Sequence, residues 1–369
     1  MRHKSWFSAI GLAVFSLMLL AEAGTVSIAQ VVVEPAPMQH GPLDHHSICK
    51  HCVRLVVEVS DKKGHPVNGL AASDFTVLDN NEPQKLLSFR AVNSQDAAPA
   101  SLRVLIVIDA INADYQTVAR ERDGLADFLK QNDGKLPYPV SIAVLTDSGV
   151  KVEAGPTEDG KELLTALNNN RSEFRTIIRT QGVFGAGERL EDMLNHLGDL
   201  VTNEEHQPGR KLVLFLSRGW PMLAYSGRDI DTEHRAQLFH ELQRLTNGLL
   251  NANITLYCLA PTEDELFLYQ DFLKPVTRAY QAGYENVSLQ VLAEHTGGLV
   301  LMDGNDIKGE INSSVQDAGS YYVMLYEAPP AGEGTDYHAI RVNVDKPKVK
   351  VRTTAGYYLG SAQTAKAIP

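Results

Sequence analysis

Apolar positions follow three regimes along the chain. Between Val53 and Phe89 they come in short bursts. Val53–Val59 is mostly apolar with partial alternation, Asp74–Asp79 forms a second burst and Lys85–Phe89 a third. Asp61-Lys62-Lys63-Gly64 and Asn80-Asn81 separate them and carry side chains that favour tight turns. The pattern predicts three short strands. From Ser101 the rhythm changes. Val104–Ile108 is a continuous apolar run, as expected of a strand covered on both faces. Ala113–Asn132 then places Val118, Leu125, Phe128 and Leu129 at helical spacing. Further strands are predicted at Val140–Leu145, Leu212–Leu216, Ile254–Leu259 and Leu299–Met302, with an edge strand at Gly149–Ala154. Helices are predicted at Lys161–Leu167, Leu190–Val201, Thr232–Leu250 and Tyr280–His295, the last capped by Gly297-Gly298. Repeated strand–helix alternation over about 200 residues predicts an α/β fold with a doubly wound, mostly parallel sheet. The third regime returns to alternating strands at Tyr321–Tyr326, Tyr337–Val344 and Val349–Arg352.

These late strands are expected to pack with the early ones into a second, small β-sandwich-like domain. The α/β part would then be an insertion, which is tolerated because domain termini tend to lie close together. The N-terminus reads as a secretory signal: Arg2 and Lys4 precede the charge-free apolar run Trp6–Ala21, and Ala21-Glu22-Ala23 gives a small-x-small cleavage pattern. The alternative, a membrane anchor, needs a longer run. The expected organisation is a signal peptide at 1–23 and a flexible His- and Pro-rich leader at 24–52. The β-domain follows in two parts, 53–92 and 319–358, around the α/β domain at 101–318, and a tail at 359–369 closes the chain. A secreted or periplasmic protein follows, with no stable membrane span once the signal is removed.

Charge narrows the partners. The 369 residues carry a formal charge of −11, which argues against nucleic acid bound through its phosphates. Removing Arg2, Lys4 and Glu22 leaves 32 basic and 44 acidic side chains, a net −12. Three cysteines are too few for a disulfide-built scaffold. Cys49 and Cys52 form a C-x-x-C pair beside His45, His46 and His51. In an oxidising compartment a local disulfide is the simplest reading, and a metal site with the nearby His residues is the alternative. Haem attachment would need His after the second Cys, where Val53 stands. Cys258 lies in an apolar strand and reads as a small buried hydrophobe.

The order of elements resembles a von Willebrand factor A (VWA) domain, in the secreted "VWFA-related" variant common in acidobacterial proteins. The resembling residues are Val57–Leu70 (Val-Glu-Val-Ser-Asp-Lys-Lys-Gly-His-Pro-Val-Asn-Gly-Leu), Asp74–Val77, Val104–Asn112 and Gly356-Tyr357-Tyr358, and the likeness spans about Arg54–Tyr358. It implies a Mg²⁺ site at the carboxyl edge of the sheet, built in the family from Asp-x-Ser-x-Ser after the first strand, a loop Thr and a later Asp. Asp109 matches the leading Asp, but Ile111 and Ala113 occupy the two Ser positions and offer no side-chain oxygen. Asn112 has one amide oxygen, out of register; Thr176 or Thr180 could replace the loop Thr; Ser217-Arg218-Gly219 stands where the later Asp belongs. Asp109, Asn112 and Ser217 are therefore a remnant site, poor for a hard cation that wants oxygen ligands. The competing role for Asp109 is to cap the following helix or to pair with Arg218.

No nucleophile motif or P-loop occurs. Gly182–Gly187 is glycine-rich but lacks the preceding strand and the trailing Lys-Ser/Thr, so it reads as a flexible loop at the partner-facing edge. Glu263-Asp264-Glu265 with Asp271 lacks calcium-loop spacing, and Leu266–Tyr269 is apolar enough to suggest a docking surface or a core segment. Asn170-Arg171-Ser172 and Asn253-Ile254-Thr255 fit glycosylation sequons. The expectation is a non-catalytic binding protein with no cofactor, engaging a protein or cell-surface ligand. Its contact loops would be Asp109–Asp114, Gln181–Gly187, Ser217–Arg228 and Pro261–Tyr269. Asp109, Asn112, Thr180, Ser217, Arg218 and Trp220 are the candidate edge residues, with Trp220 and Tyr225 as aromatic anchors; the alternative for Trp220 is packing under its own loop. The alternative class is an envelope enzyme, or a metal- or redox-handling protein using Cys49 and Cys52.

Overall fold

A computed structural model describes residues 51–93, 102–169, 182–220, 230–259, 269–301, 306–329 and 336–359, with only the backbone given for 182–188. The signal, the leader with Cys49, Asn170, Thr176, Thr180, Tyr225, Glu263–Leu268 and the tail beyond Leu359 lie outside these residues.

Four strands come first: β1 (Cys52–Asp61), β2 (Phe75–Asp79), β3 (Glu82–Pro83) and β4 (Leu86–Val92). The α/β part follows as β5 (Leu102–Asp109), α1 (Tyr115–Lys130), β6 (Lys135–Thr146), β7 (Gly149–Asp159), α2 (Gly160–Asn169), α3 (Gly182–Glu205), β8 (Arg210–Leu216), α4 (Thr232–Asn251), β9 (Ile254–Leu259), α5 (Leu289–His295), β10 (Val300–Leu301) and α6 (Ile307–Asp317). The chain returns to strands in β11 (Tyr321–Glu327), β12 (Tyr337–Val344), β13 (Val349–Arg352) and β14 (Gly356–Tyr358).

A six-stranded sheet in the order β10-β9-β8-β5-β6-β7 forms the centre. Its strands are parallel except β7, which pairs antiparallel with β6 at one edge. The continuous apolar run of β5 is explained by the two-residue period of a strand. Leu105 and Val107 enter one core with α3, α4 and α5, while Val104, Ile106 and Ile108 enter another with α1, α2 and α6. Helices thus cover both faces, and Val104–Ile108 are all buried.

Two antiparallel sheets complete the fold, β13-β1-β11-β4 and β14-β12-β2-β3. Both combine strands from the two ends of the chain: β1 pairs with β11 and β13, and β12 pairs with β2 and β14. Leu55, Val57, Phe75, Val77, Met324 and Val342 fill their common core. Within it Asp79, fully buried, accepts from Tyr326 Oη at 2.8 Å and Tyr357 Oη at 2.7 Å, and lies 2.7 Å from His338 Nδ1.

Alternation in β1 sends Val53, Leu55 and Val57 into that core and turns Arg54, Val56 and Glu58 the other way, toward the α/β part. Glu58 accepts from Arg210 of β8 and from Arg352 of β13, and Arg352 also reaches Asp317 of α6. Arg210 donates further to Ala318 O at 2.9 Å and lies 4.6 Å from the centre of the Tyr321 ring. A buried, charge-balanced cluster therefore ties β1 and β13 to the base of the parallel sheet.

Several expectations need correction. Gly182–Gly187 is the first part of α3 rather than a loop. The stretch Tyr280–His295 is helical only in α5, with short 3-10 turns at Ala279–Gln281 and Tyr284–Val287 before it. Helix α6 was not anticipated, although Ile307, Ile311 and Val315 form a buried stripe at four-residue spacing. Among the described residues no helix is long and apolar enough to cross a membrane.

Candidate functional site

In an open α/β sheet the crevice for ligands lies beyond the carboxyl ends of the strands, where the strand order reverses. Here the chain runs from β5 to β6 on one side and returns to place β8 on the other side of β5. Asp109 ends β5 and Ser217 follows β8, so the two residues flank the reversal point.

Both are completely buried. Asp109 Oδ1 accepts from the backbone N–H groups of Ile111 and Asn112, each at 3.0 Å. Its Oδ2 accepts from Asn112 Nδ2 at 2.9 Å and from Ser217 Oγ at 2.6 Å. Ser217 Oγ in turn accepts from the N–H of Gly219 at 3.1 Å. Gly219 has φ +93°, and an added Cβ would run into the buried Gln290 amide, so glycine is required there. The result is a chain of hydrogen bonds from the β8 loop through Ser217 to the β5 loop.

A carboxylate has about four acceptor directions, and four donors use them. Burial pushes the Asp109 carboxyl above its ordinary range, while the bonds from Ser217, Asn112 and Ile111 pull it back. The expected helix-capping role belongs instead to Asp114, which accepts from the Thr117 N–H at 2.7 Å. Arg218 likewise sits 3.8 Å from Asp114 and not on Asp109. This arrangement does not suit a Mg²⁺ cage. The Asp109 lone pairs are occupied, Ile111 and Ala113 offer no side-chain oxygen, and no group of three or more His, Cys, Asp or Glu among the described residues could hold a metal. Thr180 lies outside the described residues.

Two residues beside the site gave no sign of themselves in the motifs. Glu121 of α1 is fully buried, and neither carboxyl oxygen has a hydrogen-bond partner among the described residues. Burial pushes its carboxyl well above the ordinary range, and the charge of Asp109 pushes it further the same way. It occupies the apolar stripe that contains Val118, Leu125, Phe128 and Leu129, and a carboxylate in such a stripe was the available signal. Tyr115, the first residue of α1, is 71% exposed beside Asp114. Trp220, expected as an anchor, is 1% exposed and packs edge-on against Phe215 at 6.4 Å between ring centres. Asp114, Tyr115 and Arg218 are among the outward-facing residues of the described edge.

Ser217 is sealed from solvent and bonded to a carboxylate with no imidazole between them, so it has neither access nor a base for nucleophilic work. Cys52 is disulfide-bonded, which withdraws it as a thiolate ligand; Cys258 is free and buried.

No family model matches the chain, and no curated protein matches it. Solved structures do. Two crystal forms of proximal thread matrix protein 1 from the mussel byssus match with TM-scores of 0.34 and 0.32 at 12% and 9% identity, covering 65% and 60% of this chain and 51% and 48% of theirs. The human COPII-coat protein Sec24c matches with a TM-score of 0.31 at 9% identity over 74% of this chain and 46% of its own. The chain spans about half the length of the structures it matches.

Proposed function

We propose that the chain is an exported, non-catalytic binding protein of VWA type that engages a protein or cell-surface partner without a metal ion. The observation that carries this reading is the occupancy of Asp109. Where the resemblance implies an acidic metal ligand, four donors hold the carboxylate and join the β5 and β8 loops directly. The hydrogen bonds do the positioning work that an ion would otherwise do. Tyr115 and Arg218 stand above them with the exposed aromatic and guanidinium chemistry that dominates interface energetics.

The test is capture of partners from the secreted and envelope fractions on the immobilised mature chain, with Tyr115→Ser and Arg218→Glu beside it. The same partner should be retained in EDTA and weakened about tenfold by either substitution, the size of an interface hot spot. Loss in EDTA, or capture indifferent to both substitutions, contradicts the reading.

A further inference from the structure

At the opposite edge of the parallel sheet a cleft opens between β1, the C-terminal half of α4, the start of β9 and the end of α5. Val56, Leu249, Leu250, Ile254 and Leu292 give it an apolar wall.

Its polar side chains include donors without acceptors. Arg54 makes no hydrogen bond and no ion pair among the described residues, and its Nε is buried and unpartnered there. Strand alternation explains why. Arg54 and Glu58 share one face of β1, but Glu58 is taken by Arg210 and Arg352. Arg54 is left with Arg90 and Arg210 as its charged neighbours. Burial, then these like charges, pull its guanidinium below the ordinary value, opposed only by Tyr321. Thr246 and Asn253 line the same cleft. Their hydroxyl and amide likewise lack partners among the described residues, whereas the nearby Thr296 and Thr354 hydroxyls are bound to backbone oxygens. A half-buried guanidinium without a counter-ion is costly unless an anion joins it.

We propose that this cleft is a binding site for a small organic oxyanion, with the Arg54 guanidinium as its receptor, Thr246 and Asn253 as supporting donors, and the leucine wall covering a short apolar body. Arg suits the task because its planar fork can meet a carboxylate or phosphate through two hydrogen bonds. The site is separate from the Asp109 edge, so neither proposal depends on the other.

Calorimetry and thermal shift on the mature chain test it, with butyrate and inorganic phosphate as probes and acetamide as the neutral control. Saturable 1:1 binding of butyrate is expected, with an increase in Tm. Phosphate should bind more weakly, because it has no apolar body for the leucine wall to cover. Arg54→Gln should weaken butyrate binding at least about tenfold, since charge-assisted hydrogen bonds are lost. Thr246→Val, which keeps the shape of the helix surface, should weaken it about threefold. Saturable binding that both variants retain overturns the assignment, as does no saturable binding of either anion to a folded wild type.

Discussion

Ser217 Oγ donates to Asp109 Oδ2 at 2.6 Å across the point where the strand order reverses, with both residues fully buried. This bond ties the β5 and β8 loops together at the place where open α/β sheets usually take their ligands. It also makes the edge a fixed platform, with Asp114, Tyr115 and Arg218 among its outward groups.

Removing the donor leaves a buried acceptor unmet. Ser217→Ala should destabilise the chain by about 1–3 kcal/mol, the penalty for stranding a buried polar group. Urea unfolding of the two proteins at matched pH measures it. An unchanged midpoint would mean that the two loops do not rely on this bond.

Glu121 makes a prediction about pH. Its carboxyl titrates well above the ordinary range when folded, so the folded chain holds a proton that the unfolded chain releases. Its favourable state is complete below the unfolded value, near 4.5, and is lost as pH rises through the folded value. The Glu121 contribution to stability should therefore shrink as pH rises through this range, and burial pushes Asp109 in the same direction. Glu121→Gln should match the wild type near pH 4 and exceed it near pH 8. Between the unfolded and folded titration points the gap should widen by at most about 1.4 kcal/mol for each step of one in pH. Denaturation curves across pH give the comparison; parallel curves for the two proteins contradict it.

At the base of the sheet, Glu58 answers two buried or half-buried guanidinium groups at once. Glu58→Ala leaves Arg210 buried without its partner and should cost about 3–5 kcal/mol. Pairing it with Arg210→Met should recover part of that loss, because a well-packed apolar pair often replaces a buried ion pair without penalty. Additive losses in the double variant would show that the two side chains act independently.

The sequence carried the parts of this fold that periodicity encodes. The span expected for β9, Ile254–Leu259, is the observed one, and the uninterrupted apolar run in β5 announced a strand covered on both faces. Mixed α/β order and the mostly parallel sheet follow from such segments. Gly182–Gly187 misled because glycine disfavours helices, yet it extends a helix whose later turns are anchored by Leu190, Met193 and Leu197. Helix α6 was obscured by the polar residues between Ile307, Ile311 and Val315. At the site, sequence located Asp109, Asn112 and Ser217 and the missing hydroxyls at Ile111 and Ala113. Asn112 and Ser217 are indeed the side chains that bond Asp109, whereas the alternative roles weighed for it, capping the helix or pairing with Arg218, fall to Asp114, five residues on. Spacing could not reveal that Trp220 folds inward onto Phe215, since the same residue would serve equally well as an exposed anchor.

The proposal that this edge works without a metal is tested most directly by calorimetric titration of Mg²⁺ and Mn²⁺ into the wild-type chain and into Asp109→Ala. Neither ion should bind saturably to either protein. Divalent-ion binding to the wild type that disappears in Asp109→Ala would show that Asp109 is a metal ligand and contradict the account.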